Sequence, residues 1–277
     1  MTTSAPRLVR ALVDACHPGP TLAVTTVITL VAAGAGRTGL GLALTGGAVL
    51  TGQLSVGWSN DARDADRDLA GHRSEKPTVR GDITGQLLWT CALTALSVAV
   101  LLSYLAAGPV GGTAHVVSLA SAWTYNLWLK STRWSWLPYA VSFGLVPAFI
   151  TNGLTPPAAP ASWSVAAFAL TGVGAHLANA IPDVESDTAV GAGGVVAAIG
   201  VRASTALSLG CLVAAVALLL THLDLTTVVV IVSVGTATVS AVLVLMFGRG
   251  RALFRFILVL AVVAVVLLVR ASAGITS

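Results

Sequence analysis

Nine apolar stretches, each about as long as a helix that crosses a lipid bilayer, leave this chain few folds to choose from. In windows of roughly twenty residues they lie near 20–36, 38–57, 84–107, 109–129, 134–154, 161–181, 202–221, 225–246 and 252–269. In hydrocarbon every backbone N–H and C=O must find a partner within the chain, which only helices and closed barrels achieve. No segment alternates like a strand. The sequence therefore predicts an all-α membrane protein, a bundle of nine transmembrane helices. It forms one domain over residues 1–277, in which 1–19 make a short interfacial N-terminal segment. Only 9% of the residues are charged and 56% are apolar, whereas soluble chains carry about a quarter charged residues. An ordinary soluble domain is excluded.

The basic residues set an orientation. With the N-terminus cytoplasmic, nine spans place Arg7, Arg10, Arg63, Arg67, Arg73, Lys76, Arg80, Lys130, Arg133, Arg202, Arg249, Arg251 and Arg255 on the inner side. Only Arg37 and Arg270 fall outside, a strong bias of the kind that fixes topology. The net charge of +4 is then a topology signal, and nothing points to nucleic acid. Leu8, Leu12 and Val13 against Arg7, Arg10 and Asp14 suit a segment lying along the interface before Pro18 and Pro20 turn the chain inward. A cleaved signal peptide is the rival; its loss would leave eight spans. Cys16, Cys91 and Cys211 are isolated and read as small packing residues. The glycines, dense from Gly39 to Gly57, read as sites of close helix approach.

Against this background one stretch concentrates charge: SNDARDADRDLAGHRSEKPTVRG, residues 59–81. No Gly or Pro interrupts it before Gly71, so the preceding apolar helix continues to about there. At about 100° per residue, with Asn60 at 0°, Asp64 falls near 40°, Asp68 near 80° and Asp61 near 100°. Asp66 points the opposite way. Three like charges on one face repel unless a cation joins them, and hard oxygen ligands suit Mg²⁺, which shares its shell with substrate phosphates. The plain alternative is a solvated helix end paired with Arg63 and Arg67. A second copy weighs against it. Asn179, Asp183 and Asp187 repeat the same four-residue steps 119 residues later (179 − 60), and Glu185 again faces away. Pro182 is expected to kink this second helix. Two such ends facing one cavity read as a two-magnesium diphosphate site. A third polar group, Tyr125, Asn126 and Lys130, ends the fourth span. Five residues separate Tyr125 from Lys130, about 140° on an α-helix, so they share a face only if the helix breaks or the lysine stem bends back. An interfacial girdle with Trp128, Trp134 and Trp136 is the other reading.

These residues resemble the UbiA superfamily of intramembrane prenyltransferases over essentially the whole chain. The marks are NDARDADRD (60–68), the second D-x-x-x-D at Asp183 and Asp187, the Tyr125–Lys130 element, and Arg73 with Lys76–Pro77 before the third span. The resemblance implies a nine-helix bundle with a central cavity under cytoplasmic cap loops. It implies that Asp61, Asp64, Asp68, Asp183 and Asp187 hold Mg²⁺ against an isoprenyl diphosphate. Arg73, Lys76 and Lys130 would contact the diphosphate, Asn60 and Asn179 would give polar support, and Tyr125 would orient substrate or stabilise the cation with its ring. One departure stands out: no basic residue lies between Thr188 and Gly200, where relatives carry one, unless Arg202 substitutes. The implied activity is Mg²⁺-dependent transfer of the prenyl chain to an acceptor, aromatic, quinone-precursor or lipid. A terpene cyclase on the same scaffold is the neighbouring enzyme. A transporter with an acidic ion path is the non-enzymatic alternative, disfavoured because both clusters share one face. His72 beside the first motif and His176 before Asn179 are secondary candidates, while His115 and His222 are expected on the far side.

Overall fold

The computed structural model describes residues 5–71, 73–189, 191, 193–247 and 251–276, and helices make up most of that chain. Among the described residues the only extended pairing is one bridge between Pro160 and Thr276. The expectations for His72 and Arg249 lie outside the described residues, as do the side chains of Arg251 and Arg255.

Helix α1 (Ala5–Ala15) is followed by α2 (Pro18–Gly34), with a bend of 66° between them. Pro18 and Pro20 fit the first turn of α2, where a missing N–H does no harm. The amphipathic N-terminal segment does not face only outward. Ala11 and Ala15 are buried with Ala62, Ile83 and Leu88, and Leu8 and Leu12 pack against that group with Trp58 and Trp89. Trp58 Nε1 donates to Leu12 O at 2.8 Å, and Arg7 and Arg80 both bond Asp82.

Helix α3 (Gly39–Ala70) has 32 residues, about 48 Å at 1.5 Å per residue against a hydrocarbon core of about 30 Å. Its acidic last turns therefore extend beyond the apolar part on the same rigid rod. The helix stops at Gly71, whose N–H bonds Arg67 O at 2.8 Å.

The next element, α4 (Gly85–Thr124), holds two expected runs in one continuous assignment, yet it doubles back. Ala107 and Gly108 leave helical geometry ahead of Pro109. Gly108 at φ 61, ψ −167 occupies a region open essentially to glycine alone. Consequently Trp89 and Trp123 meet with ring centroids 6.0 Å apart, and Ser103 bonds His115 Nδ1 at 2.6 Å. The returning arm ends in a π-helical turn, Tyr125–Leu129. There follow α5 (Leu137–Gly144) and α6 (Val146–Thr151), α7 (Ser162–Ala180), α8 (Val184–Ala189), α9 (Gly194–Ile199), α10 (Val201–Leu220), α11 (Thr227–Phe247) and α12 (Arg251–Arg270).

The principal core joins α2 to α12: Ile28 and Val31 of α2, Val49 of α3, Phe149 and Ile150 of α6, Phe168 of α7, Leu219 of α10 and Leu268 of α12 are buried together. Outward, α4 exposes Leu93, Leu101 and Leu105, and α12 exposes Val259, Val262 and Val266. Such faces are aggregation-prone in water and ordinary in lipid. Among the described residues three helices qualify by length and composition to cross a membrane, or four if the bent α1–α2 pair is one span. The nine apolar runs all fall on helices, while nine crossings belong to the function proposed below.

Candidate active site

Helix α3 gathers the first motif on one buried face. Asp61 and Asp68 are each 1% exposed and Asp64 is 7% exposed, whereas Asp66 faces outward. Three carboxylates at that depth demand partners, and cations supply them. Lys76 Nζ bonds Asp61 Oδ1 at 2.7 Å. Lys130 Nζ bonds Asp64 Oδ2 at 2.5 Å and Asn60 Oδ1 at 3.0 Å. Arg67, one turn on, reaches Asp64 Oδ1 at 3.3 Å, while Arg63 is exposed. The simple pairing with Arg63 and Arg67 thus describes only a rim contact.

The second motif is not one helix. Helix α7 ends at Ala180, the chain turns through Pro182, and α8 begins at Val184, the break expected where proline withdraws a donor. Asp187 N bonds Asp183 O at 2.8 Å across the new turn. This swings Asp187 toward α3, where Arg73 links the motifs: its guanidinium lies 3.4 Å from Asp68 Oδ1 and 3.3 Å from Asp187 Oδ1. Asn179, Asp183 and Glu185 are exposed. Of the second triplet, then, Asp187 is drawn into the cluster through Arg73. Arg202 on α10 is exposed and none of its ion pairs to these carboxylates is found among the described residues.

The Tyr125–Lys130 phase problem is resolved by the π turn. Lys130 N bonds Tyr125 O at 2.9 Å, an i→i+5 bond, so residues five apart stack one above the other. Asn126, buried in this turn, donates to Val56 O at 2.9 Å and Ser59 Oγ at 3.0 Å, tying the end of α4 to α3. Trp128 and Trp134 are exposed, while Lys130 turns into the cluster. The Tyr125 ring meets Tyr139 and His176 edge-on at 5.2 Å and 5.6 Å, and Tyr139 stacks on His176 at 4.2 Å. Ser135 Oγ lies 3.2 Å from His176 Nε2 and accepts Val195 N–H at 3.1 Å, anchoring α9 over this aromatic wall.

A cleft of about 130 Å³ opens beside Asp64 and Lys130, lined also by Arg63, Arg67 and Trp128. A second hollow of about 50 Å³ lies between α2, α3, α4 and α6, lined by Gln53, His115, Phe143 and Phe149 among others. His115 is buried there and stacks on Phe149 at 4.3 Å, so it is an interior residue. His222, by contrast, stacks on Trp163 at the exposed start of the α10–α11 turn.

One residue at the cluster escaped the sequence reading. His17 Nε2 lies 2.9 Å from Asp61 Oδ1, 44 positions away. Only its place between two helices and before a proline singles it out in the sequence.

The donor set suits a hard divalent cation: carboxylate oxygens from two helix ends, with Asp61 Oδ2 and Asp68 Oδ2 buried and without a partner. A buried acceptor left unpaired is costly, and a metal ion relieves that cost. Among the described residues no three His, Cys, Asp or Glu side chains converge closely enough to hold an ion. Lys76 and Lys130 occupy oxygens of Asp61 and Asp64, and Arg73 links Asp68 to Asp187.

Known proteins share this architecture. The profile of the UbiA prenyltransferase family matches residues 21–256. A structure of a digeranylgeranylglyceryl phosphate synthase superposes with a TM-score of 0.71 at 13% identity, covering 96% of this chain and 99% of that one. A UbiA homolog from Archaeoglobus fulgidus bound to DMAPP and Mg²⁺ gives 0.66 at 14% identity, covering 95% and 99%. The apo UbiA homolog from Aeropyrum pernix gives 0.62 at 20%, covering 87% and 94%. Comparison with curated proteins finds no match.

Proposed function

The chain belongs to the UbiA prenyltransferase family, and from that premise we propose that it transfers an isoprenyl chain from a polyprenyl diphosphate to an acceptor within the membrane. The observation that carries this reading is the Arg73 bridge between Asp68 and Asp187. It brings two acidic helix ends to one point, with Lys76 and Lys130 close at hand.

In this reading Asp61, Asp64, Asp68, Asp183 and Asp187 hold Mg²⁺, with Asn60 and Asn179 as polar support. Mg²⁺, when bound, offsets the charge that builds on the departing diphosphate. A Mg²⁺-bound A. fulgidus homolog of the same fold supports the choice of ion. Lys76, Lys130 and Arg73 exchange their carboxylate partners for phosphoryl oxygens, so that fixed positive charge faces the leaving group as the carbon–oxygen bond breaks. Tyr125 offers its aromatic ring to the allylic carbocation, whose charge the electron-rich π face stabilises. The apolar interior excludes water that would otherwise capture the cation.

The proposal includes nine spans around a central cavity, with the N-terminus and the acidic ends cytoplasmic, where soluble diphosphates are found. For the acceptor it favours an aromatic or quinone-precursor ring over a lipid phosphate. The test is a product screen by mass spectrometry. Dimethylallyl, geranyl, farnesyl and geranylgeranyl diphosphates are crossed with phenolic, naphthoate and glycerol-phosphate lipid acceptors, with and without Mg²⁺. Prenylated aromatic product dependent on Mg²⁺ supports transfer. Cyclic hydrocarbon or alcohol without acceptor makes the protein a cyclase instead. No diphosphate release under any condition overturns both.

A further inference from the structure

The junction between α1 and α2 carries the only non-glycine residue with positive φ among those described, His17 at φ 53, ψ 68. L side chains rarely adopt this conformation, and Pro18 restricts the preceding residue further. Such strain persists only where surrounding structure enforces it, and it collects at functional sites. The enforcing contacts are visible. Cys16 O accepts the Thr21 hydroxyl at 2.7 Å, and Gly57 lets the junction lie directly on α3: a Cβ there would come within 2.6 Å of Cys16 O. The imidazole makes no cap to α2, so helix initiation does not explain it. Instead Nε2 reaches Asp61 Oδ1 at 2.9 Å, the same oxygen that Lys76 holds at 2.7 Å. Two donors converge on Oδ1, whereas Oδ2 is buried and has no partner among the described residues.

We propose that His17 is a positioning residue of the reaction centre: its Nε2–H fixes Asp61 Oδ1 and leaves Oδ2 as the atom presented to the divalent ion. The strained junction exists to deliver that imidazole. The inference rests on the reading above that Asp61 holds the ion. Groups that orient metal-binding carboxylates typically contribute about ten- to hundredfold in metal affinity.

The test uses the full chain in nanodiscs and Mn²⁺ as the probe, with bound ion counted from the electron paramagnetic resonance of free Mn²⁺ in the presence of inorganic pyrophosphate. His17→Gln retains a donor close to the place of Nε2 and is expected to bind as the parent does. His17→Ala and His17→Gly are expected to lose about ten- to hundredfold in affinity. Thermal unfolding separates this from a backbone effect: glycine accepts positive φ freely, so His17→Gly should unfold at a higher temperature than His17→Ala while binding Mn²⁺ equally poorly. Unchanged Mn²⁺ affinity in both, or affinity restored by His17→Gly, overturns the proposal. Asp61→Ala distinguishes its failure from that of its premise. If Asp61→Ala abolishes binding and His17→Ala does not, the inference alone fails; if Asp61→Ala binds normally, the premise falls and takes the inference with it.

Discussion

Arg73 bonds a carboxylate of each acidic motif, and its chemistry makes it hard to replace. A guanidinium presents several N–H groups in a fixed plane, so two nitrogens serve two carboxylates at once, as Nη1 and Nη2 do for Asp68 and Asp187. Lysine keeps the charge with a single nitrogen and cannot span the pair. Arg73→Lys is therefore expected to lower kcat/KM for diphosphate release by about ten- to hundredfold, the worth of one hydrogen bond between charged groups. Conservation of charge would not rescue it, and a rate within twofold of the parent would contradict the bridge. At this scale the sequence was informative for the acids and silent about their partners. Periodicity placed Asp61, Asp64 and Asp68 on one face because a helix fixes angles. Which cation meets which carboxylate depends on loops whose course has no period, so neither Arg73 on Asp187 nor His17 on Asp61 was legible.

At the scale of the element, the π turn at the end of α4 makes an asymmetric prediction. With i→i+5 bonding, Tyr125 and Lys130 stack although five residues apart. Deleting Trp128, which is exposed, makes the step from Tyr to Lys four, and a regular α turn then keeps them within about 40° of one face. Inserting one alanine after Leu127 makes the step six, and an α-helix separates them by about 120°. Deletion should retain measurable prenyl diphosphate turnover and insertion should abolish it, with both proteins folded by circular dichroism. Equal loss in the two would mean that the turn's side chains, not its phase, matter. The other element open to test is α1. Arg80 and Arg7 hydrogen-bond Asp82 and hold its carboxyl below the usual carboxylate range. A group whose native pKa is depressed stabilises above its unfolded pKa and stops doing so as pH falls through the native value. The clamp of α1 on the loop after α3 should thus loosen as the pH drops below about 4. Hydrogen exchange of residues 5–15 should rise there, and Asp82→Asn should remove the dependence.

At the scale of the molecule, hydropathy already parted the two arms of α4 near residue 108, while the short α8 and α9 fall between its apolar runs. The decisive evidence is a distance. A straight 40-residue helix is about 60 Å long, yet Lys130, just beyond α4 and its π turn, contacts Asp64 of α3, while Ala65 of α3 lies beside Gly85 at the other end of α4. Both ends of α4 can meet the same stretch of α3 only if the element folds back at Ala107–Gly108, so it crosses twice or not at all. That constraint ties topology to chemistry. If α4 crossed once, the loops at 71–84 and 130–136 would lie on opposite faces of the membrane and Lys130 could not reach Asp64. Single cysteines test this in a chain whose Cys16, Cys91 and Cys211 are replaced by serine. An impermeant maleimide should label Ser74→Cys and Ser131→Cys from the inner face, and Pro157→Cys and Asp224→Cys from the outer face. All four positions are exposed. Labelling of Ser74→Cys and Ser131→Cys from opposite faces would remove the hairpin, and with it the meeting of the two motifs. Labelling of both from the outer face would keep the site but reverse the orientation drawn from the basic residues, placing the diphosphate pocket on the side away from the cytoplasmic supply.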